Sequence, residues 1–436
     1  MNFYDRERET ATLQKIEWLS QDNAQMTVIT GRRRTGKTTL IKHALCNIPL
    51  VYFFVSKKSE KLLCNELVEI VGEVLNVDLG EFNSMGKLFK ALMKLSKTRN
   101  FSLVFDEFQT FYTINDAVFS EMQNVWDEMK NDSKINLVFC GSIFTLMTKI
   151  FNHRTEPLYG RATCKFTLKP FGTETIKQIL ADNNPNYTAD DLLTFYMITG
   201  GVAKYVELLI NQKSVTRDSM LESVFQYGSY FIKEGRDMLE DEFGRDYGKY
   251  FSVMGAIAMG NTSRGQINNY VEFETGGYLD KLENVYSLIS RMRPIGADEN
   301  TRNVRYYIND NFLTFWFRFV YKYRSAIEIE NFDFIINKAL ADYQMFSGYF
   351  LEKYFRCMYQ ESGLYNIVGN SWSANGEEEI DLVAINEIDK RIVFAEVKRN
   401  PQRASIQLLT EKSDRLLKKY KKLKPEYLVL SLEDMI

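Results

Sequence analysis

The sequence predicts an α/β protein that is divided into several domains. From Met26 to Leu168, short apolar runs alternate with longer amphipathic stretches, which is typical of parallel strands with helices on both faces of the sheet. The following stretch, as far as Arg245, has a helical pattern, and apolar runs of strand length return near the C-terminus. At roughly 100–200 residues per domain, the 436 residues of the chain are enough for several such units.

The composition excludes several classes of protein. There are 55 Lys and Arg against 57 Asp and Glu, and the chain is 45% hydrophobic, so we expect a globular protein in which any nucleic-acid surface is a local patch. Five dispersed cysteines and only two histidines, His43 and His153, argue against a disulfide framework and a His-ligated zinc site, and fit a reducing cytoplasm. The charged N-terminus and the lack of a long apolar segment predict no association with a membrane.

The apolar runs of the first region predict five strands. Each run has five or six residues bounded by turn-forming or charged residues, and runs of this length are typical of buried strands. The predicted strands are Met26–Thr30, Leu50–Val55, Phe101–Phe105, Ile135–Cys140 and Thr163–Leu168.

A glycine-rich loop follows the first of these strands. The residues from Gly31 to Thr38 fit the pattern GxxxxGK[ST], and a stretch compatible with a helix comes next. Glycines let the backbone wrap around a phosphate, the lysine neutralises it, and the hydroxyl of Thr38 is suited to ligate Mg²⁺. The motif therefore predicts that ATP and Mg²⁺ bind here, although the three arginines could also contact a partner or face solvent. The nucleotide-binding residues that we expect are Gly31, Arg32, Arg33, Arg34, Thr35, Gly36, Lys37, Thr38 and Thr39.

Two acidic residues stand at the end of the predicted strand Phe101–Phe105. Because the carboxyl ends of parallel strands meet at one edge of a sheet, Asp106 and Glu107 should lie beside the glycine-rich loop. We expect Asp106 to hold Mg²⁺ and Glu107 to orient the attacking water. Ser142 follows the next strand, and it could either contact the γ-phosphate or cap a helix.

These residues give the first region a resemblance to a known family. The segments GRRRTGKTTL, LVFDEFQ, FCGS, PLYGR and TGGVAKY resemble the archaeal-type ATPases of the AAA+/STAND division of P-loop NTPases. The resemblance implies a P-loop ATPase core, a helical lid and an arginine finger at Arg161, for which a surface arginine is the alternative. Ala203 stands where the family often has proline, which puts nucleotide sensing by that segment in doubt.

The middle of the chain has the element order of a winged helix. Three predicted helices precede a predicted strand pair, an arrangement whose third helix commonly enters a DNA groove. That helix contains Asp280 and Glu283 as well as Lys281, which is a poor face for phosphate, and we therefore favour a protein-contact module. The helices are 250–259, 264–271 and 277–288, and the strands lie near 291–294 and 304–308.

Two apolar runs near the C-terminus predict a β-hairpin that brings two carboxylates together. If Ile385 lies opposite Ile392, the same register places Asp381 opposite Glu396, with Lys398 on the same face as Glu396. Two facing carboxylates and a lysine are suited to hold a divalent metal ion and to position a water molecule. We therefore expect a second Mg²⁺ or Mn²⁺ site at this hairpin.

The spacing Asp-x14-Glu-x-Lys resembles the PD-(D/E)xK nuclease core. The segments EEEIDLVAI and IVFAEVKRN carry this resemblance, and it implies a restriction-endonuclease-like α/β domain. It also implies that Asp381 and Glu396 hold the metal, that Glu352 from the preceding helix joins them, and that Lys398 is catalytic. The alternatives are a polar strand face with an incidental ion pair, or a nuclease-like fold without activity.

A basic segment follows this candidate site. Between Arg399 and Lys424 there are nine basic and two acidic residues, which would suit a DNA backbone, although a solvated helix is equally consistent with the charges. The leading hypothesis is an ATP-hydrolysing switch coupled to a nuclease-fold domain that cleaves or binds DNA. The alternative is a STAND-type scaffold that binds a protein partner and forms nucleotide-controlled oligomers. The domains that we expect are a P-loop ATPase core (1–170), a helical lid (171–245), a winged-helix-like module (246–330) and a nuclease-like domain (331–436).

Overall fold

The computed structural model of the protein describes residues 2–243, 247–373 and 378–436. The described chain divides into two compact units. One unit is Asp5–Lys169, and the other consists of residues 2–4 together with the described residues from Pro170 onward. The predicted boundary between the helical lid and the winged-helix-like module, at 245/246, lies outside the described residues, as does Glu377 of the segment EEEIDLVAI.

The first unit is built around a five-stranded sheet in the order β2-β3-β4-β1-β5. Every pairing in this sheet is parallel, and each predicted strand is found with its ends within one residue of the prediction. The predicted α/β fold with a parallel sheet is thus confirmed. The strands are β1 (Gln25–Thr30), β2 (Leu50–Phe54), β3 (Phe101–Asp106), β4 (Ile135–Cys140) and β5 (Cys164–Thr167).

Helices cover both faces of this sheet, so successive strand residues enter different cores. Phe105 and Phe139 pack into the larger core with Phe108, whereas Val104 and Val138 pack into the smaller one. This burial on both faces explains why the strands are continuous apolar runs in the sequence. The helices are α1 (Glu7–Leu19), α2 (Lys37–Ala44), α3 (Glu60–Leu75), α4 (Met85–Leu95), α5 (Phe111–Ile114), α6 (Ala117–Met129) and α7 (Phe144–Asn152).

The second unit begins with helices. Five come first: α8 (Thr173–Asn183), α9 (Ala189–Thr199), α10 (Ala203–Asn211), α11 (Arg217–Val224) and α12 (Tyr230–Phe243). Capping boxes mark the beginning of α9 and α11, since each pairs an N-cap side chain with the backbone three residues on. The next elements are α13 (Tyr247–Ala258), α14 (Arg264–Val271), α15 (Gly276–Asp280) and the antiparallel pair β6 (Ile289–Met292) and β7 (Arg305–Ile308). Helix α15 continues as a π-helical segment, Lys281–Val285, and the winged-helix-like module stays a prediction.

A cluster of aromatic residues between residues 312 and 321 belongs to the core of this unit. Phe312, Phe315, Trp316, Phe317 and Phe319 are all buried, so these rings are part of the core and are not an exposed surface on which bases could stack. They lie on α16 (Asn311–Phe315) and on the π-helical segment Trp316–Tyr321. The chain then forms α17 (Arg324–Glu328) and the 30-residue α18 (Phe332–Glu361).

The chain ends in a four-stranded sheet in the order β11-β10-β9-β8. Strands β8 to β10 are antiparallel, and β11 pairs in parallel with β10 after a crossover through α19. Ile385 lies opposite Ile392 as predicted, and the register continues to Leu382 opposite Ala395. The elements are β8 (Ile367–Trp372), β9 (Glu379–Asn386), β10 (Arg391–Val397), α19 (Ile406–Lys419) and β11 (Lys424–Leu430).

Strand β8 has no counterpart among the predicted strands. Its sequence, IVGNSW, contains only a short apolar start, and a bulge interrupts its pairing between Gly369 and Ser371. A strand that is polar and bulged lacks the regular alternation by which strands are recognised. Across residues 2–243, 247–373 and 378–436, none of the helices has the length and apolar character that crossing a bilayer requires.

We expect Phe108→Ala to destabilise the first unit strongly. The ring of Phe108 is fully buried and its centroid lies 4.1 Å from that of Phe139, so truncation should lower the free energy of unfolding by about 3–5 kcal/mol. Phe54→Ala is the control, since Phe54 is 55% exposed in the same sheet. The full chain is unfolded in urea, and hydrogen exchange of the amides in β3 and β4 reports the unfolding of this unit. Equal decreases in the free energy of unfolding in the two variants would refute the prediction.

Candidate functional site

The glycine-rich loop connects β1 to the first turn of α2. Gly31 has φ +149°, and a Cβ atom there would lie 2.7 Å from the carbonyl oxygen of Leu168. Gly36 has φ +92° and is the N-cap of α2, a conformation that residues with a side chain rarely adopt. Both glycines are therefore required by the backbone, and the loop ends at a helix N-terminus that favours anions.

Lys37 lies inside the curve of the loop. Its Nζ donates hydrogen bonds to the carbonyl oxygens of Gly31 at 2.8 Å and Arg32 at 2.9 Å, and the hydroxyl of Thr35 donates to Arg32 at 2.9 Å. Burial lowers the pKa of Lys37, while nearby acidic groups, among them Glu107, act in the opposite direction. The ammonium group is thus held at the loop by neutral carbonyls, which an anionic phosphate would replace as a stronger acceptor.

The remaining predicted residues of this loop form its outer part and the start of α2. Arg33 is exposed, Arg34 has φ +71°, and Thr38 and Thr39 are exposed on the first turn of α2. The loop therefore offers cationic side chains and helix N–H groups on one side of the sheet edge, a donor set that fits a polyphosphate. Contact of Arg32, Arg33 and Arg34 with nucleotide stays a prediction.

Asp106, at the end of β3, accepts hydrogen bonds on both carboxylate oxygens. Oδ2 accepts from the hydroxyl of Thr38 at 3.2 Å and from the hydroxyl of Tyr52. Oδ1 accepts from the thiol of Cys140 at 3.0 Å and from the backbone N–H of Glu107 at 2.9 Å. Burial raises the pKa of Cys140 well above its usual range and also raises the pKa of Tyr52, so both groups remain protonated donors at neutral pH. The structure thus places Thr38 and Asp106, the two predicted Mg²⁺ ligands, in contact.

Tyr52 has no motif to mark it in the sequence. It lies on β2 opposite Val104 of β3, and this register lets its hydroxyl reach Asp106 two residues farther along the neighbouring strand. The sequence shows only a tyrosine in the strand β2. That tyrosine indicates a contact with Asp106 only when it is known that β2 lies next to β3.

Glu107 and Ser142 are also brought together. Glu107 has φ +55°, and its carboxylate accepts hydrogen bonds from the hydroxyl of Ser142 at 2.9 Å and from the side-chain amide of Gln109. The N-cap of α7 is Ile143, so the interpretation of Ser142 as a helix cap is wrong. Ser142 and Gln109 instead orient the predicted catalytic carboxylate.

Arg161 is held by contacts within its own unit. Its guanidinium donates to both carboxylate oxygens of Asp127, at distances from 2.6 to 3.1 Å, and to the carbonyl oxygens of Pro157 at 2.6 Å and Tyr159 at 3.1 Å. A bidentate ion pair of this kind favours a structural role. An arginine-finger role would require this ion pair to open, and it stays a prediction.

In the second unit, Lys398 bridges the two predicted carboxylates. Its Nζ lies 2.8 Å from Oδ2 of Asp381 and 3.4 Å from Oε1 of Glu396, and the N–H of Val397 also donates to Asp381 at 2.9 Å. Both acids are buried, with 5% and 9% exposure. The structure therefore assembles the predicted pair of acids with its lysine at the β9–β10 hairpin.

Two further cations, which carry no motif in the sequence, complete this cluster. Lys412 of α19 lies 3.5 Å from Oε2 of Glu396, and Arg356 of α18 lies 3.5 Å from Oε2 of Glu352. Burial and, secondly, the charge of Asp381 raise the pKa of Glu352, which Arg356 and Lys398 oppose. The spacing of four residues between Glu352 and Arg356 is the helical ion-pair spacing, and it is the signal that could have indicated Arg356.

Each acid of this candidate site is therefore paired with a cation. Within the described part of the chain, no group of three or more His, Cys, Asp or Glu side chains is arranged to hold a metal ion. Binding of Mg²⁺ or Mn²⁺ by Glu352, Asp381 and Glu396 stays a prediction, and it requires Lys398 or its neighbours to shift. The carboxylate oxygens of Asp381 and Glu396 are the type of ligand that hard cations prefer, whereas the ammonium group of Lys398 would not be a ligand.

Arg399, the residue after Lys398, ties this cluster to the helical region of the same unit. Its guanidinium contacts the carboxylate of Asp190 at 2.7 Å and the hydroxyl of Ser347 at 2.9 Å, and it lies over the ring of Tyr343. Asp190 is on α9, while Ser347 and Tyr343 are on α18. Arg399 thus connects the segment that follows β10 to both α9 and α18.

The basic segment after this site is largely exposed. Its helix, α19, ends in Lys418 and Lys419, and Lys419 also donates to the carbonyl oxygen of Gly296 at 2.9 Å. The exposed cations of the segment are Arg403, Arg415, Lys418, Lys419, Lys421, Lys422 and Lys424. Contact of this surface with DNA remains a prediction.

Two parts of the chain match known protein families. Residues 3–209 match a family described as an ATPase domain predominantly from Archaea, and residues 316–409 match one described as archaeal and bacterial proteins of unknown function. An uncharacterized protein of Methanocaldococcus jannaschii is 28% identical over 406 residues, which are 91% of this chain and 87% of that protein.

Two solved structures are similar to parts of this chain. A Walker-type ATPase of Pyrococcus abyssi gives a TM-score of 0.55 at 18% identity, over 72% of this chain and 96% of that chain. The Aeropyrum pernix ORC2 protein, in ADPNP and ADP complexes, gives a TM-score of 0.49 at 13% identity, over 78% of this chain and 96% of that chain. The match to the ATPase family over residues 3–209, together with the loop, Lys37 and Asp106, supports a P-loop ATPase domain in this part of the chain, and residues 316–409 match a family whose function is unknown.

Proposed function

We propose that the protein is an ATP-hydrolysing switch. The observation that carries this proposal is the meeting of Lys37, Thr38, Asp106 and Glu107 at one edge of the parallel sheet. Thr38 and Asp106 would hold Mg²⁺, which when bound neutralises charge on the β- and γ-phosphates. Lys37 binds the phosphates, and Glu107, oriented by Ser142, holds the attacking water.

The C-terminal sheet is the output end of the switch in this proposal. We infer that the hairpin of Asp381, Glu396 and Lys398 acts on a DNA phosphodiester, with the basic surface of α19 contacting the DNA backbone. Lys412 supports this inference because it joins the acid–lysine cluster from the same helix that carries the exposed cations. The contacts of Arg399 with α9 supply a route by which the helical region would control the cluster.

A second candidate function is a scaffold whose nuclease-like domain is catalytically silent. The observation that favours it is the pairing of every acid in the cluster with a cation: Asp381 and Glu396 with Lys398, Glu396 also with Lys412, and Glu352 with Arg356. Buried acids that are already neutralised in this way have little affinity left for a metal ion. In this alternative the second unit binds a protein partner, and ATP controls assembly.

We expect Lys37→Ala to weaken ATP binding by at least about thirtyfold, because truncating one partner of a buried, hydrogen-bonded charge pair costs several kcal/mol. Isothermal titration of the full chain with ATP and MgCl₂ measures this change. Lys87→Ala is the control, since Lys87 is an exposed lysine of α4 in the same unit. Equal affinities in the wild type and Lys37→Ala would overturn the assignment of the phosphate site.

If Arg161 is an arginine finger, Arg161→Ala should slow ATP turnover by about 10³-fold or more. Asp127→Asn is the matched variant, because it breaks the ion pair and leaves the guanidinium in place. Steady-state phosphate release is the measurement, normalised to bound nucleotide. Unchanged turnover in Arg161→Ala, or the same loss in both variants, would assign Arg161 a structural role only.

The nuclease proposal predicts Mg²⁺- or Mn²⁺-dependent cleavage of linear or supercoiled DNA that Lys398→Ala abolishes, because Lys398 contacts both Asp381 and Glu396 and is the cation placed to orient a water between them. Lys338→Ala is the control, since Lys338 is exposed on α18. Each protein is assayed with and without ATP, and Lys37→Ala shows whether nucleotide controls cleavage.

The same set of variants separates the two candidate functions. Absence of cleavage in every lane, together with intact ATP binding, would favour the scaffold. Binding of Mn²⁺ that is lost in Asp381→Ala favours the nuclease, whereas nucleotide-dependent oligomerisation without metal binding favours the scaffold.

A further inference from the structure

The hydroxyl of Tyr52 lies in contact with both predicted Mg²⁺ ligands of the nucleotide site. It donates a hydrogen bond to Oδ2 of Asp106 and lies 3.2 Å from Oγ1 of Thr38. The ring lies under the ammonium group of Lys42, 5.1 Å from its centroid, and packs beside the smaller core of the sheet. Strand pairing and a cation–π contact thus hold the hydroxyl at this corner.

The contacts of Asp106 saturate its carboxylate. A carboxylate has about four lone-pair sites, and four donors of the chain reach this one: Thr38 and Tyr52 on Oδ2, and Cys140 and the N–H of Glu107 on Oδ1. A cation that binds here needs lone pairs that these donors now use. Its binding therefore has to displace or redirect at least one of them.

Tyr52 is the donor best able to give way. The N–H of Glu107 is part of the backbone, Cys140 is fully buried, and Thr38 is itself a predicted ligand. The side chain of Tyr52 is partly exposed, and its O–H bond can rotate away from Asp106 without any movement of the ring.

We infer that Tyr52 is a positioning residue that competes with Mg²⁺ for Asp106 and Thr38, and so sets the Mg²⁺ concentration at which the site binds Mg·nucleotide. The inference rests on the proposed ATP site and adds a determinant of its metal requirement. In the metal-free protein, the tyrosine holds the two oxygen ligands together and offsets the charge of Asp106. Loss of the hydroxyl should therefore make metal binding easier.

Tyr52→Phe tests the inference because it removes the hydroxyl and keeps the ring. The affinity of the full-length protein for a fluorescent ADP analogue is measured at increasing MgCl₂, starting from excess EDTA. We expect the Mg²⁺ midpoint of the affinity gain to fall about tenfold in the variant, the size expected for one lost hydrogen bond to a charged group. Tyr112→Phe, which loses a 2.9 Å hydrogen bond to Glu156 elsewhere in the unit, should keep the wild-type midpoint.

The outcomes of this experiment separate the inference from the proposed function. An unchanged or higher midpoint in Tyr52→Phe, with normal Mg²⁺ dependence in the wild type, overturns the role of Tyr52 and leaves the ATP site standing. A wild-type protein that binds no nucleotide, or binds it without any Mg²⁺ dependence, overturns both. Thermal unfolding of both tyrosine variants verifies that each is folded, and a lower midpoint shared with Tyr112→Phe also overturns the inference.

Discussion

The buried carboxylate of Asp106 is the group around which the nucleotide end of the first unit is organised. It stands at the carboxyl end of β3, 7% exposed, and receives donors from β2, from α2, from β4 and from the turn that follows it. A buried charge is tolerated only when its hydrogen-bonding sites are satisfied. The parallel strand order makes this possible, because it brings Tyr52, Thr38 and Cys140 to the same edge.

In the acid–lysine cluster of the second unit, the buried carboxylates are compensated by cations. Asp381 and Glu396 share Lys398, and helices on two sides of the sheet add Arg356 and Lys412. Removing one member of such a cluster leaves an uncompensated buried charge, which is costly. The ion pairs therefore help to fix the geometry of the cluster whatever its chemistry, and both the nuclease and the silent scaffold stay proposals.

Much of the fold and of both sites could be predicted from the sequence, for physical reasons. Strands buried on both faces have to be continuous apolar runs, so β1 to β5 are visible in the sequence, and the pairing of Ile385 with Ile392 follows from a hairpin with a short turn. Strand β8 escapes prediction because it is bulged and partly polar. Tyr52, Gln109, Arg356 and Lys412 escape because each acts through a contact between elements that are separated in sequence.

The sequence by itself determined the phosphate loop, the acidic strand end and the acid–lysine spacing. These depend on local backbone geometry: glycines with positive φ, a helix N-terminus and the alternation of side chains along a strand. Only the tertiary structure decided how the charges of these groups are satisfied. It paired Arg161 with Asp127, placed Ser142 on Glu107 and not at a helix cap, and gave Glu352, Asp381 and Glu396 a cation each. The reason is that a charged side chain finds its partner by distance in space, and strand order and helix packing set that distance.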